Sequence, residues 1–208
     1  MNTFEIKLAT NKSTGMLPTA QHAAAKRQLN KFLHAMPVGT EAYIAGGAPR
    51  DWHHGWGCRD VDIFFYVPLD ALTQATQHLS KYQLIGEAYG TDYSYGCGEQ
   101  GINAIYEYPI HQGSLRYRKV QLIWLRKRPL DVIRNFPINM SHIWMDRKGR
   151  ITCDWHYQMG YNKQVMRPAN DTQYVYPYLE KILPRYSNYA FVPMNWNDPT
   201  DPIEEEQN

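Results

Sequence analysis

The 208-residue sequence predicts an α/β (α+β) fold, and three observations carry the prediction. Helical segments with one apolar face flank short apolar segments rich in β-branched and aromatic residues. Thus "TAQHAAAKRQLNKFLHAM" precedes "AYIA" and "VDIFFYV", and "LDALTQATQHLSKY" follows them. Two later pairs read as hairpins: "INAIYEY" with "RKVQLIWL", and "MSHIWMD" with "RITCDW", the second turning at "RKGR". The composition is globular, 43% apolar and 20% charged with both signs mixed.

Taken in order, "FEIKL" reads as a short strand followed by a polar loop. The first helix has Thr19 as its N-cap, places Leu29, Phe32, Leu33 and Met36 on one face, and stops before Pro37. The second places Leu69, Leu72, Leu79 and Tyr82 on one stripe, the pattern of a helix that covers a sheet. The glycine-rich "YGTDYSYGCGEQG" is a loop or hairpin tip. It lacks the Gly-Lys-Ser/Thr ending of a P-loop and carries no phosphate role by that route. After Pro129 comes a short helical turn, "LDVIRNF". "YVYPYLEKILPRY" is a helix that docks late, and "NDPTDPIEEEQN" is an acidic, proline-broken tail expected to be disordered. There is no internal repeat.

Bulk properties exclude several classes. A net charge of +2 is far from that of a protein that coats nucleic acid. The basic run Arg116, Arg118, Lys119, Arg126, Lys127 and Arg128 still leaves a local patch that could guide one. Three cysteines at irregular spacing do not make a disulfide framework. The N-terminal residues lack a signal-peptide core, and no apolar run approaches the roughly 20 residues of a membrane span. The expectation is a soluble, cytoplasmic protein with no membrane partner.

The chemistry concentrates in "AYIAGGAPRDWHHGWGCRDVDIFFYV". In a strand, residues i and i+2 share a face, so Asp60 and Asp62 stand side by side while Val61 and Ile63 enter the core. Two carboxylates that close are costly unless a cation lies between them, and Mg²⁺ takes one or two carboxylates plus substrate phosphates. The alternative is that they begin an exposed strand edge. Upstream, Gly46 and Gly47 end a strand and precede a helical start in which Pro49 is tolerated. Free first-turn amides make an anion site, and Arg50 adds a permanent charge one turn in.

These residues carry a resemblance. Gly46-Gly47-x-x-Arg50-Asp51, then Gly55, then Arg59-Asp60-x-Asp62 resembles the signature of the polymerase-beta-like nucleotidyltransferases, closest to the head domain of CCA-adding enzymes and bacterial poly(A) polymerases. A second block, "IRNFPINMSHIWMDRKGRITCDW", resembles that family's Arg-Arg-Asp-Phe-Thr-x-Asn segment and the hairpin after it. Arg134, Phe136, Ile138, Asn139, Asp146, Gly149 and Asp154 match, whereas Asn135 replaces an Asp and Pro137 a Thr. The resemblance spans roughly residues 42 to 167. It implies a nucleotidyltransferase fold, a mixed β-sheet backed by helices. Residues 1–167 would be the head domain and 168–208 a small C-terminal helical appendage with an acidic tail.

The resemblance also implies roles. Gly46 and Gly47 would hold the triphosphate of an NTP, and Arg50 would support it or brace the helix through Asp51. Asp60 and Asp62 would bind a pair of Mg²⁺ ions as the catalytic carboxylates. Arg134 and Asn139 would line the ribose and base; the alternative for both is a buried network that holds the second hairpin. The family's third acid falls at Gln121, which can neither take a proton at neutral pH nor supply charge, and Glu107 on the preceding strand could substitute for it. CCA-adding enzymes continue into long helical domains that measure tRNA; with about forty residues after the resemblance here, a complete tRNA-repairing enzyme is not the expectation.

Other features carry packing or surface roles. Cys153 and His156 in "CDWH" have no second metal-ligand pair nearby. His53 and His54 are expected to face solvent, with the triphosphate as the alternative. Tyr174, Tyr176 and Trp196 are expected to cap the sheet, with base stacking as the alternative. The sequence therefore predicts a Mg²⁺-dependent enzyme that moves a nucleoside monophosphate from an NTP to an acceptor hydroxyl. An RNA 3′ end leads, and a protein or small-molecule acceptor stays open. The rival reading is a catalytically inert relative that binds nucleotide, RNA or a protein partner.

Overall fold

The computed structural model describes residues 2–6, 16–87, 101–108, 119–169 and 175–193. In chain order its elements are β1 (Thr3–Ile6), α1 (Met16–Ala35), β2 (Glu41–Ala45), α2 (Gly47–His53), β3 (Asp60–Tyr66), α3 (Leu72–Leu79), β4 (Gln83–Glu87) and β5 (Ile102–Tyr108). There follow β6 (Lys119–Leu125), α4 (Pro129–Ile133), β7 (Ile143–Met145), β8 (Ile151–Asp154), α5 (Trp155–Lys163), β9 (Val165–Met166), α6 (Val175–Ile182) and β10 (Ala190–Phe191). Eight strands form one mixed sheet in the order β1-β8-β7-β2-β3-β6-β5-β4. Only the central β3–β6 pair is parallel within it; the other neighbours run antiparallel. The expected α/β (α+β) class with a mixed sheet backed by helices is the observed one.

The period of two along β3 divides its side chains between two cores. Val61, Ile63 and Phe65 join a large core with Leu29 and Phe32 of α1, Trp52 of α2, Leu79 of α3 and Tyr157 of α5. Phe64, on the face it shares with Asp60 and Asp62, joins a smaller core with Val132 and Ile133 of α4, Phe136 and Trp144. The smaller core covers only part of its face. The carboxylate end of β3 is therefore left beside an opening rather than under a helix.

Several local expectations shift. Helix α1 begins at Met16, so Thr19 lies inside it and does not cap it. Pro18 in that first turn lacks an amide for which no intrahelical carbonyl was present. Leu69 is 81% exposed in a 3₁₀ turn after Pro68, because α3 starts only at Leu72. Tyr82 lies past the helix end and stacks on Tyr108 at 5.0 Å. Strand β4 and helix α5, which periodicity did not reveal, complete the edge and the back of the sheet. Asp154 caps α5, accepting from the Tyr157 amide at 3.0 Å and pairing with His142 Nδ1 at 2.8 Å. The glycine-rich loop with Cys97, the basic pair Arg116 and Arg118, Tyr174, Trp196 and the acidic tail lie outside the described residues. Among the described residues no helix is long and apolar enough to cross a membrane.

Candidate active-site cleft

Where β2 ends, the chain turns through Gly46 at φ 73°, a left-handed conformation open to glycine and strained for other residues. The Gly46 amide donates to Ile143 O of β7 at 3.1 Å, which anchors the turn to the sheet. Helix α2 then starts at Gly47. Arg50 N is the amide that bonds back to Gly46 O, at 3.3 Å, so the earlier first-turn amides have no intrahelical acceptor. A Cβ on Gly47 would meet only the Arg50 Nη2 atom, at 3.7 Å, in ordinary contact.

Parallel to this turn, the entry to β3 is held by a residue that sequence reasoning passed over. Gln21 of α1 grips the backbone of Cys58 at both ends. Its Oε1 accepts from Cys58 N at 2.7 Å, and its Nε2 donates to Cys58 O at 3.0 Å. The Gln21 Oε1 also accepts from Trp52 Nε1 of α2 at 3.3 Å. One buried amide thereby sets the glycine turn and the start of β3 at a fixed separation. Burial pushes the Cys58 thiol up to about 12, so it stays protonated at neutral pH.

A cleft of about 460 Å³ opens between these elements, and Gly46, Gly47, Arg50, Asp60 and Asp62 all line it. Five of the seven residues singled out from sequence are thus brought together. Arg134 and Asn139 are not among its lining residues. The Arg134 guanidinium lies 5.7 Å from the Trp144 ring centroid, with Nε buried and without a hydrogen-bond partner among the described residues. Asn139 is 5% exposed and ties three segments. Its Oδ1 accepts from Met140 N at 2.9 Å and Arg167 N at 3.0 Å, and its Nδ2 donates to Val165 O at 3.2 Å.

Arg50 lines the cleft but is 4% exposed, and its hydrogen bonds run to the C-terminal elements. Its Nε donates to the Tyr186 hydroxyl at 2.8 Å and its Nη1 to the Tyr178 hydroxyl at 3.1 Å. Burial opposes the charge, but the two tyrosine oxygens and Asp51 outweigh it, so the guanidinium stays charged. The Tyr186 hydroxyl in turn donates to Asp51 Oδ1 at 2.7 Å, and Asp51 Oδ2 accepts from Arg185 Nη1 at 2.7 Å. Arg185 also donates to Gly57 O. This chain of charged and hydroxyl groups clamps α2 to α6 and the 3₁₀ turn after it. Tyr178, Lys181, Arg185 and Tyr186, none of which local pattern assigned to the site, form one wall of the cleft. Their only sequence signal was the amphipathic helix they sit on.

His53 and His54, expected in solvent, are partly buried in the same aromatic cluster. The Tyr157 hydroxyl lies 2.8 Å from His53 Nδ1, and the Tyr189 hydroxyl 2.8 Å from His54 Nε2. Burial lowers His53 to about 4, with the neighbouring His54 adding to the shift.

The floor of the cleft is set by sheet register. Asp60 and Asp62 stand opposite Lys119 and Gln121 of β6, and Gln121 stands opposite Glu107 of β5. Gln121 is 6% exposed, so the neutral amide occupies the place beside Asp62. Lys119 pairs with Glu107 at 3.2 Å, and Arg59 reaches Asp60 only at 3.8 Å. Five cations and three carboxylates line the cleft, a balance suited to a polyanion. Among the described residues no cluster of three or more His, Cys, Asp or Glu could hold a metal ion. A cation placed here has the two β3 carboxylates and must draw its other oxygens from substrate and water. That donor set fits Mg²⁺, which prefers few protein ligands and keeps phosphate and water oxygens.

No protein-family model matches the chain, and no curated protein matches it. Solved structures do. The chain is similar to the Thermotoga maritima CCA-adding enzyme complexed with tRNA, at 14% identity and a TM-score of 0.58, over 92% of this chain and 43% of that one. It is similar to an apo CCA-adding enzyme at 14% identity and a TM-score of 0.52, over 81% of this chain and 39% of that one. A CCA-adding enzyme with CTP aligns at 15% identity and a TM-score of 0.50, over 82% of this chain and 42% of that one. The chain therefore spans less than half the length of these enzymes. At such identity the likeness is one of architecture: the chain shares the fold of the part of these CCA-adding enzymes that it covers.

Proposed function

We propose that the protein is a Mg²⁺-dependent nucleotidyltransferase that moves a nucleoside monophosphate from an NTP to an acceptor hydroxyl. The observation that carries the reading is the meeting of the Gly46–Gly47 turn and the Asp60–Asp62 pair in one cleft, on the fold that CCA-adding enzymes share. In this reading the α2 first turn receives the triphosphate, with Arg50 bracing that turn from behind rather than reaching outward. Asp60 and Asp62 hold the divalent cation, which when bound would lower the acceptor's pKa and stabilise charge on phosphate. The acceptor oxygen forms a bond to the α-phosphorus, the bond from that phosphorus to the β-bridging oxygen breaks, pyrophosphate leaves, and the hydroxyl proton passes to solvent. Arg134 and Asn139 support the site through the segment that carries Phe136 and Ser141, both of which line the cleft.

RNA 3′ ends are the leading acceptor class, supported by the cationic balance of the cleft and by a structural neighbour solved with tRNA. The motif-bearing unit is residues 1–167, and residues 175–193 act as the wall that completes its site. The protein is soluble and cytoplasmic in this reading. The test is pyrophosphate release from each NTP with Mg²⁺ and separate RNA, protein and small-molecule acceptor pools. Wild type should release it and the Asp60→Ala/Asp62→Ala double variant should not, while both melt alike. Full activity in the double variant would overturn the site.

One observation favours a second reading, an inert nucleotide or RNA binder: buried Gln121 stands where a third carboxylate would flank Asp62. Under the enzyme reading Gln121→Asp retains or raises pyrophosphate release. Wild-type silence across all acceptor pools, with NTP binding intact, would select the binder.

A further inference from the structure

We propose that Lys181 is a phosphate-binding residue of the cleft, presented by the C-terminal wall to the phosphate groups of the bound polyanion. The inference rests on the reading above, in which the cleft receives an NTP and an RNA acceptor. Tyr178, Lys181, Ile182 and Arg185 all line the cleft. Their i, i+3, i+4, i+7 spacing places them on one face of α6 and of the 3₁₀ turn that continues it. One turn before Lys181, the Tyr178 hydroxyl accepts from Arg50 Nη1 at 3.1 Å. One turn after it, Arg185 Nη1 donates to Asp51 Oδ2 at 2.7 Å. These two anchors tie the face to α2, the helix whose first turn receives the triphosphate in that reading. Lys181 stands between the anchors with its side chain exposed.

The other cations of the cleft are already engaged. Arg50 is 4% exposed and donates to the Tyr178 and Tyr186 hydroxyls. Arg185 is held by Asp51 and Gly57 O. Lys119 Nζ lies 3.2 Å from Glu107 Oε2, and Arg59 Nε lies 3.8 Å from Asp60 Oδ2. Among the described residues Lys181 has no hydrogen bond and no ion pair. An ammonium on the wall of a cleft, with no carboxylate holding it, adds positive potential where a polyanion would enter. On a flexible stem its N–H donors follow a phosphate oxygen without a preset angle, unlike the rigid fork of a guanidinium. The wall thus divides two tasks between its cations. The buried guanidinium of Arg50 fixes the wall in place, and the exposed ammonium of Lys181 contacts the ligand. The triphosphate and the RNA backbone offer the same oxygen chemistry to that contact.

The experiment measures binding of α,β-methylene ATP and CTP, and separately of a short single-stranded RNA, to the full chain with Mg²⁺ by calorimetric titration. Wild type is compared with Lys181→Met, Lys181→Arg and Lys163→Met, the last at an exposed lysine of α5 that does not line the cleft. Lys181→Met should weaken binding about five- to twentyfold, as for one solvent-screened, charge-assisted hydrogen bond. Lys181→Arg keeps the charge and should stay within about twofold of wild type. Lys163→Met should match wild type, and the urea midpoint should not move in any variant. A loss with the nucleotide analogues assigns the contact to the triphosphate, and a loss with RNA alone assigns it to the acceptor backbone. Wild-type affinity of Lys181→Met for both ligands would overturn the inference alone, as would an equal loss in Lys163→Met or a Lys181→Arg as weak as Lys181→Met. A wild type that binds neither nucleotide nor RNA would overturn the cleft reading and the inference together.

Discussion

Replacing Tyr186 with Phe removes one oxygen atom from a buried position between two charged groups. The hydroxyl accepts from Arg50 Nε at 2.8 Å and donates to Asp51 Oδ1 at 2.7 Å, and the residue is fully buried. Burial pushes its own ionisation far above the ordinary phenol range, so it serves as a neutral donor and acceptor throughout the usable pH range. A hydrogen bond to a charged group contributes about 1.5–3 kcal/mol. The loss is not the full sum of two bonds. Arg50 keeps Tyr178 at 3.1 Å and Asp51 at 3.6 Å, and Asp51 keeps Arg185 at 2.7 Å. We expect a net loss of about 2–4 kcal/mol. For a domain of this size that lowers the melting temperature by roughly 5–12 °C. Urea unfolding at pH 7 reads the loss. Tyr189→Phe is the control, since it gives up one bond to a histidine at 2.8 Å and should cost about 1 kcal/mol. If the α2 turn receives the triphosphate as proposed, NTP affinity should fall with Tyr186→Phe, because that turn loses its brace. If Tyr186→Phe costs no more than Tyr189→Phe, the clamp between α2 and the C-terminal elements does not carry the energy assigned to it.

Gly47→Val should fold, because its Cβ has room beside Arg50 at 3.7 Å, yet fill the cleft and weaken NTP binding by about tenfold or more; calorimetric titration that finds wild-type affinity moves the phosphates elsewhere. Gly160→Ala should cost about 2–3 kcal/mol by urea unfolding, since its Cβ would fall 2.8 Å from Val165 O and closer still to Asn139 Nδ2; a loss under about 0.5 kcal/mol would show that Asn139 is not a rigid joint. His53, lowered to about 4, binds its proton less readily folded than unfolded. Its contribution is whole above pH 6.5 and drains as pH falls toward about 4. The urea midpoint of wild type should therefore decline more steeply over that window than that of His53→Gln, and parallel profiles would remove His53 from the acid response.

The features legible in the sequence are those set by chain geometry over a few residues. Asp60 and Asp62 share a face because a strand repeats every two residues, whatever packs against it. Gly46 turns the chain into a helix at a φ of 73° that favours glycine, and Pro49 fits the first turn because its missing amide has no acceptor to lose there. The adjacency of Gln121 to the dicarboxylate was legible as an alignment, and register makes it literal. Partner choice across long separations was not legible. Arg50 reads locally as a phosphate ligand, yet its acceptors are Tyr186, 136 residues away, and Tyr178, 128 away. A guanidinium with five donors is satisfied by whichever acceptors the fold delivers, and no periodicity encodes them. Asn139 is similar: its amide closes bonds to Val165 and Arg167 that exist only once α5 has turned the chain back. Lys119 could have paired with Asp60 or Glu107, and the meeting of three strands decided between them. The sequence by itself determined which chemistry each strand and turn presents. The tertiary structure decided which of those groups point into the cleft and which are tied up in the interior, because an unpaired buried polar group is costly and only the assembled sheet and helices determine which partner is within reach.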